Sequence, residues 1–280
     1  MANDLVHAVV LVGVMVVLPL VFGGFRRWCL VGVAVATSFL LPVGPGAAAA
    51  ASVWLALAVG TALHRWTVRD VPRQAAALLA AGFGVVAAAA FLLSRAGVSL
   101  LGIGEPIVEL TAVHFTYAGV GAVTLADAVA TGRFGRLALL ATASAPPIVA
   151  LGFLLAHPLP QVGGAVLMSA GVLLVAALQL RDATVGSTVG STVGSTVGTG
   201  GRRVLLALSG LAPWVPMVLA VAWASSLYWD VPALSVPDMA RTHGVMNVVF
   251  VVAGLLARRG DAELPGRTPA RSLQQNRALS

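Results

Sequence analysis

The chain has 280 residues, 59% hydrophobic and only 10% charged, with a formal net charge of +7 and a mean hydropathy of +0.95. Soluble domains carry roughly 25% charged residues, so the composition excludes a water-facing surface of ordinary size and predicts an all-α, polytopic transmembrane helix bundle covered by lipid. The basic residues are all Arg, in ones and twos between apolar runs, which is a topogenic arrangement and excludes the basic stripe of a nucleic-acid partner.

Crossing a bilayer takes about 20 apolar residues in a helix. In chain order the apolar runs predict about nine spans: Leu5–Gly24, Trp28–Leu41, Ala47–Leu63, Ala75–Leu93, Ile107–Ala130, Leu137–Leu155, Val162–Leu180, Val204–Leu227 and Pro237–Leu256. The first opens on Asp4 without a basic residue, unlike a cleaved signal, and reads as a permanent span. The second is short, is stopped by the turn Pro42-Val43-Gly44-Pro45-Gly46, and reads as tilted or partly re-entrant. The lone Cys29 excludes an intramolecular disulfide and reads as a small interfacial residue.

Four regions follow. Residues 1–183 carry spans one to seven, and 204–259 carry spans eight and nine. Between them, 184–203 repeats Thr-Val-Gly-Ser, a Gly/Ser-rich composition that predicts a flexible cytoplasmic linker. The tail 260–280, with Pro265 and Pro269, predicts disorder.

Arg marks the cytoplasmic side of a membrane protein. With nine spans and the N-terminus outside, every Arg except Arg95 and Arg241 falls in an inner segment. The expected orientation is therefore N-terminus outside and C-terminus inside, in the cell membrane.

Ionisable side chains within a span cost about 2.5–3.5 kcal/mol on insertion scales and mark function. The fifth span holds the densest group. Pro106 suits a first helical turn and sets Glu105 near the N-cap, with Glu109 one turn in and His114 deeper. At 100° per residue, Thr111, His114 and Tyr117 share one stripe, while Glu105 and Glu109 form another. The ninth span adds His243 and Asn247, which at i and i+4 share a face, with Asp238 and Arg241 as a charge pair at its mouth. Trp229 and Tyr228 close the eighth span as interfacial aromatics. The alternation of spans sets all of these in the outer half of the membrane, together with Asp4 and His7, and predicts one polar site opening outward.

The strings Leu110-Thr111-Ala112-Val113-His114-Phe115 and Arg241-Thr242-His243-Gly244-Val245-Met246-Asn247 resemble the two His-bearing signatures of the YndJ-like membrane proteins. The resemblance covers most of the chain outside the repeat and the tail. It implies a polytopic membrane protein and marks His114 and His243 without naming a reaction. In that family the first signature often reads His-Phe-His; Thr116 stands here in place of the second His.

The favoured function is an intramembrane acid/base enzyme acting on a lipid-like or isoprenoid substrate, with cyclase or isomerase chemistry. In it Glu109 or Glu105 is the buried general acid, His114 or His243 accepts the proton, and Asn247, Tyr117, Thr111 and Trp229 hold the substrate. Two alternatives use the same residues. A proton-coupled carrier would relay protons through the Glu/His group, although the sequence shows no internal repeat of the kind common in such carriers. Haem or a metal on His114 and His243 is the third; the enzyme reading itself needs no cofactor or metal.

Overall fold

The structure is a computed structural model and describes residues 2–67, 75–99, 102–185 and 196–262. Arg69, Asp70 and Arg73 of the expected inner loop, the middle of the repeat (186–195), and the tail from 263, with Arg267, Arg271 and Arg277, lie outside the described residues.

The described residues form a bundle of helices without a strand. Eight helices are long and apolar enough to cross a membrane: α1 (Asp4–Phe22), α3 (Pro45–Thr67), α4 (Ala75–Ala96), α5 (Ile107–Ala128), α6 (Gly132–Leu155), α7 (Pro158–Val185), α8 (Gly200–Ser226) and α9 (Val236–Arg259). The remaining helix, α2 (Phe25–Leu40), has 16 residues. At about 1.5 Å per residue that is roughly 24 Å, short of a hydrocarbon core about 30 Å thick. The second run is thus the shortest helix of the bundle, as its early Pro-Gly stop predicts.

Several helices outrun the apolar stretches that announced them. α7 continues through Arg181 and Asp182 to Val185, and the helix leading into α8 begins at Thr196. Both ends of the segment read as a linker are therefore helical. Once a turn exists each further residue adds a hydrogen bond at little cost, so a helix started within an apolar run propagates past the end of that run.

α5 lies at the centre, shared by two buried apolar clusters. One joins α1 to α5 around Val35, Trp54 and Phe91; the other joins α5 to α6, α7, α8 and α9, with α1, around Leu125, Val175 and Phe250. Lipid removes the hydrophobic drive between such helices, so close contact must come from small residues. Gly121 of α5 meets α9 so tightly that a Cβ there would collide with Val251 Cγ1, and one at Gly171 of α7 would sit 2.9 Å from the Thr142 backbone nitrogen of α6. A polar tie adds to this packing: the buried Ser209 hydroxyl lies 2.7 Å from Gln179 Oε1 and 2.6 Å from the Phe250 carbonyl, linking α7, α8 and α9.

Three helices depart from α geometry through π-helical turns: Gly13–Val17 in α1, Phe115–Ala122 in α5 and Ala240–Gly244 in α9. Such turns often sit at functional sites. The turns of α1 and α5 touch, since a Cβ on Gly13 would lie 2.8 Å from Thr116 Cγ2.

Candidate functional site

A cavity of about 510 Å³ lies between α1, α4, α5, α6, α7, α8 and α9. Its volume falls in the range of ligand pockets, about 300–1,000 Å³. Most of the wall is Val, Leu, Ala, Met, Phe and Trp, and among the described residues that line it there is no Asp, Glu, Lys or Arg.

Of the residues singled out from the sequence, Thr111, His114 and Tyr117 of α5 and His243 and Asn247 of α9 all line this cavity. The two stripes expected on the fifth span thus meet different surroundings, and the i, i+4 pair on the ninth shares one. The π-turn of α9 contains His243, and that of α5 begins directly after His114. His243 is fixed by its Nδ1, 2.9 Å from the Pro216 carbonyl of α8. A hydrogen bond from Nδ1–H to that carbonyl leaves Nε2 as the acceptor of the neutral ring. His114 Nε2 is buried without a hydrogen-bond partner, and its ring meets Phe115 edge-on at 5.9 Å.

The hydroxyls on this wall are already committed. Tyr117 Oη donates to the Val9 carbonyl at 2.8 Å and pins α5 to α1. Thr111 donates to Ile107 O at 2.7 Å, one turn back in its own helix. Ser169 donates to Met217 O at 3.2 Å.

Glu105, Glu109 and Trp229 do not line the cavity. Glu109 faces α1 instead, with Oε1 3.5 Å from His7 Nε2 and the side chain 15% exposed. His7 stacks on Phe39 of α2 at 3.8 Å, and the Arg95 guanidinium lies 5.7 Å from the centre of the same ring. Glu105 is exposed before the first turn of α5, where Oε2 accepts from the Glu109 N–H at 3.4 Å. Trp229 is 54% exposed and packs on Tyr228. Asp238 and Arg241 pair at 3.3 Å at the exposed start of α9, where Ser235 and Asp238 also form a capping pair.

Two residues escaped the sequence reading. Arg95, assigned there to an outer segment, is only 8% exposed. It donates to Ser38 O at 2.9 Å and Leu41 O at 3.0 Å, the free carbonyls at the end of α2, where a cation also suits the helix dipole. Its position in the last turn of a span, opposite a helix stopped by proline, was the available signal. Gln161 of α7 lines the cavity, is 2% exposed, accepts from Tyr228 Oη, and leaves Nε2 without a partner. A Gln directly before the first residue of an apolar run was its signal.

Chemically, the wall offers two imidazoles and two amides in an otherwise apolar chamber. No group of three or more His, Cys, Asp or Glu placed to hold a metal occurs among the described residues. No curated protein matches the chain, and no solved structure does. A family model, described as YndJ-like protein, matches residues 8–251, and the chain belongs to the YndJ-like protein family.

Proposed function

We propose that this protein is a multi-pass protein of the cell membrane, N-terminus outside and C-terminus inside, that takes a lipid-like molecule into the cavity and transfers protons on it through His114 and His243. One observation carries the reading: α5 and α9, far apart in sequence, each bring one imidazole to the wall of the same apolar chamber. Buried polar groups in a membrane interior are costly, and two neutral rings with an open nitrogen are suited to acid–base work.

In this reading the open nitrogen of a neutral imidazole, Nε2 of His243 with its Nδ1 held by Pro216, or Nε2 of His114, takes a proton from the substrate and returns that proton to another atom of it. The pair ends as it began, which fits an isomerisation or cyclisation of an isoprenoid-type substrate and needs no second reactant. Glu109 sits beside His7, off the cavity wall, so the imidazoles and not the carboxyl face the substrate. The one-sided distribution of Arg, counted with α2 crossing as a ninth, tilted span, supports the orientation.

The test compares neutral lipid extracts from a deletion strain complemented with the wild-type chain, His114→Ala or His243→Ala. The expected result is a lipid species that accumulates in the deletion strain, disappears with the wild type and persists with both variants at equal membrane expression. Restoration of the wild-type profile by both variants overturns the proposal.

A further inference from the structure

We infer that the molecule held in the cavity is uncharged and carries a hydrogen-bond-accepting oxygen, such as an alcohol, ether or ketone, which is bound by the side-chain amide of Gln161. The inference rests on the cavity being the binding site.

Two features of the wall support it. The first is the lack of any Asp, Glu, Lys or Arg among the described lining residues. An anionic headgroup brought into an apolar chamber without a counter-charge loses its hydration with nothing to replace it, so a diphosphate or phospholipid headgroup is rejected. The buried Arg95 guanidinium is engaged with the α2 carbonyls and does not line the wall.

The second is the inventory of open hydrogen-bonding atoms. The hydroxyls of Thr111, Tyr117 and Ser169 donate to backbone carbonyls. Gln161 is different: Tyr228 Oη occupies its oxygen and so orients the amide, leaving Nε2–H₂ buried and unpartnered at the cavity wall. A buried amide without a partner is a cost that a ligand oxygen removes. A side-chain NH₂ only donates, so the ligand must accept. Tyr228, read as interfacial, is thus the residue that aims the amide.

The experiment measures Kd by native mass spectrometry on the full-length chain in detergent, with four probes of one carbon skeleton: farnesol, farnesyl methyl ether, the hydrocarbon farnesene, and farnesyl diphosphate. Farnesol and its ether are expected to bind at least about tenfold more tightly than the diphosphate, and Gln161→Leu to weaken these two about tenfold while leaving farnesene unchanged. Tyr228→Phe, which only frees the amide to rotate, is expected to shift the same two probes in the same direction by about threefold. Should Gln161→Leu fail to fold, the Tyr228→Phe comparison decides. Diphosphate binding as tight as the alcohol's, or variants that weaken every probe equally, overturns the inference and leaves the cavity as the binding site. Binding of none of the four, farnesene included, overturns the site itself along with the inference.

Discussion

Replacing His114 by Phe separates function from stability. The ring is packed edge-on against Phe115 at 5.9 Å, and its Nε2 is buried with no partner. Phe keeps the shape of the ring and removes the orphaned nitrogen. Leaving a buried polar atom unsatisfied costs about 1–3 kcal/mol, so His114→Phe is expected to stabilise the empty protein by about that amount. For a chain of this size 1 kcal/mol moves Tm by roughly 2–4 °C, which puts the expected rise at about 2–12 °C. Ligand retention is expected to fall about tenfold in the same variant, since one hydrogen bond to the bound molecule is lost. The assay is a thermal scan of intrinsic tryptophan fluorescence on detergent-purified protein, with the lipid extract of the same sample assayed in parallel. Functional sites are commonly held at the expense of stability, and a rise in Tm with a loss of ligand is that signature. A fall in Tm refutes the reasoning, because it means the imidazole satisfies a structural hydrogen bond and is not held open for a ligand.

Glu109→Gln, which lies off the cavity wall, is expected to leave cavity-ligand affinity within about twofold while His243→Ala lowers it about tenfold; equal losses would return the carboxyl to the site. Gly121→Ala places a Cβ against Val251 Cγ1, and overpacking of this kind costs about 1–3 kcal/mol, read as a lower Tm and reduced membrane yield. Arg95→Met strips the partner from two α2 carbonyls, and removal of a buried charged donor is expected to cost about 2–5 kcal/mol, measured by the same thermal scan. For orientation, in a Cys29→Ser background a membrane-impermeant maleimide on intact cells is expected to label Glu105→Cys and not Arg133→Cys; the reverse pattern inverts the proposed topology.

The helices were legible because apolar length is a property of local composition, and length alone tells α3 or α7 from a soluble helix. Their ends were less so: α7 runs through Arg181 and Asp182 because helix propagation is indifferent to the charge that stops an apolar window. The face pattern of α5 was legible as well, since Thr111, His114 and Tyr117 do share a wall. What a helical wheel could not supply is the partner across each face. Nothing local says that Glu109 meets His7 or that Arg95 reaches back to Ser38 and Leu41, because these pairs depend on how α1, α2 and α4 cross. The π-turns were also hidden. A single added residue in a turn leaves no mark in composition, yet it re-aims the side chains around it.

The division of polar groups in this bundle has a physical logic. The acid and base groups, the Glu109 carboxyl and the Arg95 guanidinium, are set on the α1, α2 and α4 side, where a histidine, the end of a helix and the ring of Phe39 surround them. The cavity receives only neutral groups, two imidazoles and two amides among committed hydroxyls. Had Glu109 pointed into the chamber, its ionised form would have demanded water or a counter-ion there, and a lipophilic molecule would have had to displace them on entering. With the carboxyl and the guanidinium held elsewhere, a neutral molecule of the proposed kind would pass from one apolar medium to another and gain only the bonds that Gln161, His114 and His243 leave open. Selectivity in such a site comes from hydrogen-bond matching at the polar end of the ligand, because the apolar remainder contributes nearly the same in lipid and in protein.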